Sequence, residues 1–128
     1  MTFAEKIKEI GIFTDRQPAS DEEIRDAQEK LNVNFADDYR EYLKQYGAAS
    51  FYGHEMTGLC EIPQLNVINV TIEERERNQS ISQEWYVIEQ THMDDIVIWQ
   101  VESGEVFSSD SVKTIKICEN LLEYVTQY

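Results

Sequence analysis

Between Ala36 and Tyr46 the apolar and aromatic positions are Ala36, Tyr39, Tyr42, Leu43 and Tyr46, and every residue between them is polar. A 3.6-residue period produces such a stripe, so the segment predicts a helix with one buried face. Gly47 follows where a helix end favours a left-handed residue without a Cβ. The same period appears upstream. Phe3, Ile7 and Ile10 predict a short helix from Thr2 to Ile10 that ends near Gly11, and Ile24, Ala27 and Leu31 give a second buried face. Ser20 and Glu23 have the spacing of a capping box, acidic residues follow at the positive end of the helix, and Asn32 is the stop. Thr14 to Ala19, which includes Pro18, reads as a loop.

Downstream the pattern changes. Ser50 to Met56 is short, rich in aromatics and punctuated by Gly53, with Gly58 just beyond, which suits a strand with close backbone contacts. Cys60 to Leu65 is a connection broken by Pro63. Trp85 to Glu89 and Ile96 to Val101 are dense in Val, Ile and Trp and predict strands. Glu102-Ser103-Gly104 turns the chain into Glu105-Val106-Phe107, so Ile96 to Phe107 reads as a hairpin. The run Ile96-Val97-Ile98-Trp99 implies a strand covered on both faces. Lys113 to Ile117 alternates as a further strand, and Leu121, Leu122 and Val125 make a closing helix. Val67 to Asn78 stays open. As a helix it would turn Val67, Val70 and Ile72 inward and Glu73, Glu74, Arg75, Glu76 and Arg77 outward, but its β-branched start suits a strand. Helices, then strands, then a helix is the order of an α+β domain. We expect one domain over residues 1–128, with N-terminal helices, a mostly antiparallel sheet and a C-terminal helix.

Certain residues in these elements form a recognisable pattern. Asp38, Tyr39, Tyr42, Leu43, Tyr46 and Gly47 close a helix, and Gly53, His54, Glu55, Gly58 and Leu59 follow in the next strand. Met93 to Trp99 precedes Gly104-Glu105-Val106, and Asn120 to Val125 ends the chain. Together these stretches resemble the SUKH superfamily of Smi/Knr-type domains, many of them bacterial immunity proteins. One departure is Phe35-Ala36 where members usually carry Leu-Pro; a proline there only pre-sets φ for the first helical turn. The resemblance implies an immunity protein, an antitoxin that binds and covers a polymorphic or contact-dependent toxin, frequently a nuclease. It also implies an alternative, a regulatory interaction module like the eukaryotic relatives in cell-wall signalling. In either case Asp38, Tyr39, Leu43, Tyr46, Gly47, Gly53, Gly58 and Trp99 are expected to be structural.

Charge sharpens the picture. The 128 residues carry 25 acidic against 11 basic side chains, a net −14. A field of that sign repels nucleic acid and anionic membranes and attracts basic surfaces. No stretch approaches the ~20 apolar residues of a membrane span, and the start of the chain lacks the apolar core of a signal peptide. A cytoplasmic location is expected. Cys60 and Cys118 are too few for a disulfide framework and read as buried small hydrophobes.

Candidate chemistry is sparse. His54, His92, Cys60 and Cys118 have no metal-ligand spacing. Asp37-Asp38 and Asp94-Asp95 are sequence neighbours, which diverge on a helix and read as a helix start and a turn. No Ser lies in a nucleophile elbow and no glycine-rich phosphate loop occurs. No enzyme activity, cofactor or metal is therefore expected. Tyr39, Tyr42 and Tyr46 could form an exposed aromatic stripe, but beside Leu43 they read as core. The candidate contacts for a basic toxin domain are Glu73, Glu74, Glu76, Asp94, Asp95 and Glu102, taken from polar loops and outward faces.

Overall fold

The computed structural model describes residues 2–51 and 53–128, and the elements form an α+β domain. In chain order they are α1 (Phe3–Ile10), β1 (Ile12–Asp15), α2 (Asp21–Leu31), α3 (Asp37–Tyr46), β2 (Ala49–Phe51) and β3 (His54–Glu55). They continue with a 3-10 turn (Pro63–Leu65), α4 (Val67–Arg77), β4 (Tyr86–Gln90), β5 (Val97–Gln100), β6 (Val106–Ser109), β7 (Thr114–Cys118) and α5 (Leu121–Gln127). The strands divide into two antiparallel sheets, β1-β2-β3 and β4-β5-β6-β7.

The helices start where the caps place them. Thr2 caps α1, and the Ser20–Glu23 box is closed in both directions at the start of α2. Asn32 ends α2 in the left-handed conformation, at φ 55°. Gly47 ends α3 at φ 72°, where a Cβ would run into the Gln17 carbonyl. Both a side chain's conformational strain and the space it needs therefore exclude other residues there.

α3 is the axis of the main core. Tyr39, Tyr42, Leu43 and Tyr46 are all buried, beside Phe3, Ile7, Phe35, Phe51, Met56, Tyr86, Ile88 and Ile98. Each tyrosine hydroxyl finds a partner inside the protein, as burial requires. Tyr46 donates to the Ala4 carbonyl at 3.0 Å. Tyr42 donates to the Thr57 carbonyl at 3.0 Å and accepts from the Ala49 amide at 2.8 Å. Thr57 Oγ1 donates to the Val87 carbonyl at 2.8 Å, so the 2.9 Å contact between Tyr39 and Thr57 is donated by Tyr39. Asp38 lies in the first turn of α3 but serves a different helix. Its Oδ2 accepts from the Leu121 amide that begins α5, and its Oδ1 accepts from Gln100 Nε2, both at 3.0 Å.

Several expectations are corrected here. Thr14 and Asp15 are not loop: they pair with β2 as part of a bulged strand. The stretch from Ser50 to Met56 is not one strand but two short ones around Gly53, at φ 77°; Tyr52, inside it, lies outside the described residues. Cys60 is half-buried rather than buried, whereas Cys118 is buried. Val67 to Asn78 resolves as a helix, capped by Asn66, whose side chain accepts from the Ile68 amide. Within it Thr71 points inward and Ile72 outward, because Thr71 Oγ1 accepts from the Val87 amide at 3.0 Å. Packing against β4 thus overrides the β propensity of its first turn.

Candidate partner-binding cleft

The four-stranded sheet has two unlike faces. One packs on the main core through Tyr86, Ile88, Ile98 and Val106. The other carries a small cluster of Val87, Trp99, Val97, Trp85 and Phe107, covered on one side by Val70 of α4. A bulge in β4 between Val87 and Glu89 sets the boundary. It turns Glu89 to the core side, where His54 Nδ1 (2.9 Å), the Tyr124 hydroxyl (2.5 Å) and the Glu55 amide (2.8 Å) surround its carboxylate. Burial beside Glu89 holds the Tyr124 hydroxyl well above the usual phenol range. Gln90 then returns to the second face, where α4 and the sheet end diverge into a cleft of about 950 Å³.

Val70, Val97 and Trp99 line the apolar part of this cleft. Trp99 is 1% exposed, and its indole N–H donates to Ser109 Oγ at 2.8 Å. The carboxylates come from three elements: Glu73 and Glu74 from α4, Asp94 and Asp95 from the β4–β5 turn, and Asp110 from the β6–β7 turn. Asp94 and Asp95 both hold positive φ, at 54° and 59°. Asp110 accepts from the Val112 and Lys113 amides at 2.8 Å each, and these bonds hold its carboxyl below the usual range. Arg77 and His92 are the basic side chains in the lining. The strand register brings both turns to one end of the sheet, and each projects an apolar tip: Met93 is 66% exposed and Val112 is 89% exposed. The cleft is thus lined by carboxylates from α4 and both turns, and Met93 and Val112 stand exposed on those turns outside its lining.

Four of the six expected contact residues therefore converge: Glu73, Glu74, Asp94 and Asp95. Glu76 and Glu102 do not join them. Glu76 is exposed on α4 away from the cleft, and Glu102 lies in the β5–β6 turn at the opposite end of the sheet. Glu74 needs a correction: it is not a solvated outward residue but is buried, with Oε2 accepting from Gln90 Nε2 at 2.8 Å. Asp110, Arg77, Met93 and Val112 were missed, and only the turn position of Asp110 could have suggested one of them. Of the residues expected to be structural, Tyr39, Leu43, Tyr46 and Trp99 are buried. Gly58 is pressed against the Gly47 carbonyl and Ala48, and Gly53 turns the β2–β3 connection. Among the described residues no group of three His, Cys, Asp or Glu side chains is placed to hold a metal ion. No helix among them is long and apolar enough to cross a membrane.

The SMI1-KNR4 cell-wall family, one of the SUKH families, matches residues 21–125. The chain belongs to the SUKH superfamily. The match takes in α2, α3 and every later strand, together with all the carboxylates of the cleft. "Uncharacterized protein YnaB" of Bacillus subtilis (strain 168) is 39% identical over 61 residues, which are 47% of this chain and 42% of that protein. The chain thus spans less than half the length of that relative.

Proposed function

We propose that this SUKH protein is a cytoplasmic immunity protein that binds one basic toxin domain, a nuclease, and silences it by covering its active site. The observation that carries this reading is the convergence of Glu73, Glu74, Asp94, Asp95 and Asp110 on one cleft in a chain of net charge −14. A toxin that must grip nucleic acid carries a basic groove, and an acidic, rigidly held surface is its electrostatic complement. Asp110 and the β4–β5 turn are ordered by hydrogen bonds between their own side chains and nearby backbone, so little conformational freedom is lost on binding. No catalytic role is proposed for any residue. Met93 and Val112 supply apolar contacts at the edge of the interface.

The test is co-expression with the C-terminal domain encoded by the neighbouring gene. Growth should be rescued, and the purified pair should associate more slowly as salt shortens the screening length to ~8 Å at physiological ionic strength and ~3 Å at 1 M. Absence of rescue, together with no complex at low salt, removes the immunity reading for that partner. The cell-wall association in the family's name supports a second reading, a regulatory module acting on cell-wall signalling. It expects several partners of modest affinity in a pull-down and no growth rescue.

A further inference from the structure

Glu74 is an unusual member of the cleft. Its side chain is 8% exposed, yet the cation paired with it among the described residues, Arg77, stands 3.6 Å from Oε1, too far for a hydrogen bond. Its hydrogen-bond donor is the neutral Gln90, on the other oxygen. Among the described residues Oε1 accepts no hydrogen bond. Oε1 is reached by solvent in the cleft rather than by a protein donor, so that oxygen is open to a cation from outside. Arg77 itself is 65% exposed and makes its short contact, 2.8 Å, with Glu73. One guanidinium thus stretches across two carboxylates and hydrogen-bonds one of them.

We infer that Arg77 is a placeholder, and that an arginine side chain of the partner takes its seat between Glu73 and Glu74 in the complex. This rests on the reading of the cleft as the partner site. The exchange is of like for like: the site keeps one cation, and Arg77, already two-thirds in solvent, swings fully out. An incoming arginine approaches along Val70 and Val97, which match its aliphatic stem, and its planar fork can bond both carboxylates at once. Lysine has no such fork and satisfies the pair less well. Asp94, Asp95 and Asp110 surround the entrance and favour a cation over any neutral side chain.

The experiment uses the purified chain and a fluorescein-labelled octa-arginine peptide at low salt, and it compares variants of equal net charge. Glu74→Gln keeps the contact with Gln90 and should weaken binding about tenfold, the worth of one charged hydrogen-bonded pair. Glu22→Gln, on the exposed start of α2, removes the same charge and should leave affinity nearly unchanged. Arg77→Gln should tighten binding several-fold more than Arg25→Gln on α2, because only the first empties the seat. An octa-lysine peptide should bind more weakly than octa-arginine. Equal effects within either pair of variants, or no peptide binding at all, overturn the inference. If Glu74→Gln fails to fold, the exposed Arg77 and Arg25 pair decides alone. Growth rescue without a difference between the paired variants removes the placeholder and leaves the immunity reading. Peptide binding as expected without rescue does the reverse.

Discussion

The two faces of the four-stranded sheet solve opposite problems with similar residues. On the core face, aromatic hydroxyls and carboxylates are buried and paired: Tyr86 donates to Gln100, and Glu89 is held by His54, Tyr124 and a backbone amide. On the cleft face the aromatics pack with one another, Trp85 stacking on Phe107 at 4.0 Å, and carboxylates gather at the open edge with one arginine among them. Polar groups on the first face are satisfied by the fold. Those on the second are met in part by the fold, Trp99 by Ser109 and Glu74 by Gln90, while Asp94 and Asp95 face solvent. A fold can hold an acidic site rigidly only if its stability comes from elsewhere, and here it comes from the tyrosine-rich side.

The comparison breaks most readily at Leu43. It is fully buried on α3, and Leu43→Ala should cost about 2–5 kcal/mol, the transfer and cavity terms together. Denaturant unfolding measures this. Gly47→Val should be comparably severe, since it adds a β-branched side chain at φ 72° against a carbonyl. Midpoints unchanged in both variants would remove α3 as the source of stability.

Next in size is Tyr42→Phe. The ring stays, but the Ala49 amide and the Thr57 carbonyl both lose a buried partner, a cost of about 1–3 kcal/mol. Phe107→Tyr, its counterpart on the cleft face, adds a hydroxyl to a half-buried ring and should stay within about 0.5 kcal/mol, as surface changes usually do. Similar losses in the two variants would mean that the faces do not differ in this way.

The unequal legibility of the two faces in the sequence has the same origin. α3 could be read because its period is unbroken and its stop is a glycine. The capping box of α2 and the β5–β6 hairpin could be read because their signals are local. Glu89 could not, since a bulge shifts the alternation and no residue type announces one. β1 was hidden by its length and by its pairing with a strand more than thirty residues away. In α4, Glu74 looked solvated because its partner, Gln90, lies on another element. The candidate site was readable residue by residue as exposed acid, but convergence is a property of sheet register. That is why Glu76 and Glu102 were chosen with the four that do meet, and why Asp110 was not.

Titration sharpens the contrast, because Asp38 and Asp110 move in opposite directions. Burial raises the Asp38 carboxyl above its ordinary 3.8, despite hydrogen bonds from Leu121 and Gln100. Its contribution to stability is therefore least at neutral pH and improves as pH falls through its folded value toward 3.8. Asp110 is lowered by amide bonds from Lys113 and Val112, so its contribution is full above 3.8 and disappears as pH falls through its lower folded value. Unfolding of the wild type against Asp38→Asn and Asp110→Asn, from pH 6 to pH 2.5, measures both. The wild-type advantage over Asp38→Asn should grow on acidification, and that over Asp110→Asn should shrink. Parallel slopes would contradict the assignment of one carboxylate to each environment.

The smallest expected change in stability belongs to the residues closest to the proposed partner. Asp94 and Asp95 are exposed, make no salt bridge with any described residue, and sit at positive φ in a turn held by Thr91 and Ile96. Asn is one of the few residues that tolerates that backbone region, so Asp94→Asn with Asp95→Asn keeps the turn. The double variant should stay within about 0.5 kcal/mol of the wild type on unfolding. It removes two negative charges from the cleft entrance while leaving the seat at Glu73 and Glu74 intact. Association with a basic domain should therefore slow, and its dependence on salt should flatten, while dissociation changes little, because steering acts on the encounter and buried contacts hold the complex. Stopped-flow kinetics at two salt concentrations separates these effects. Faster dissociation with an unchanged association rate would place Asp94 and Asp95 inside the contact rather than at its entrance. A loss of several kcal/mol in stability would show instead that the turn, and with it the acidic end of the sheet, belongs to the folding core after all.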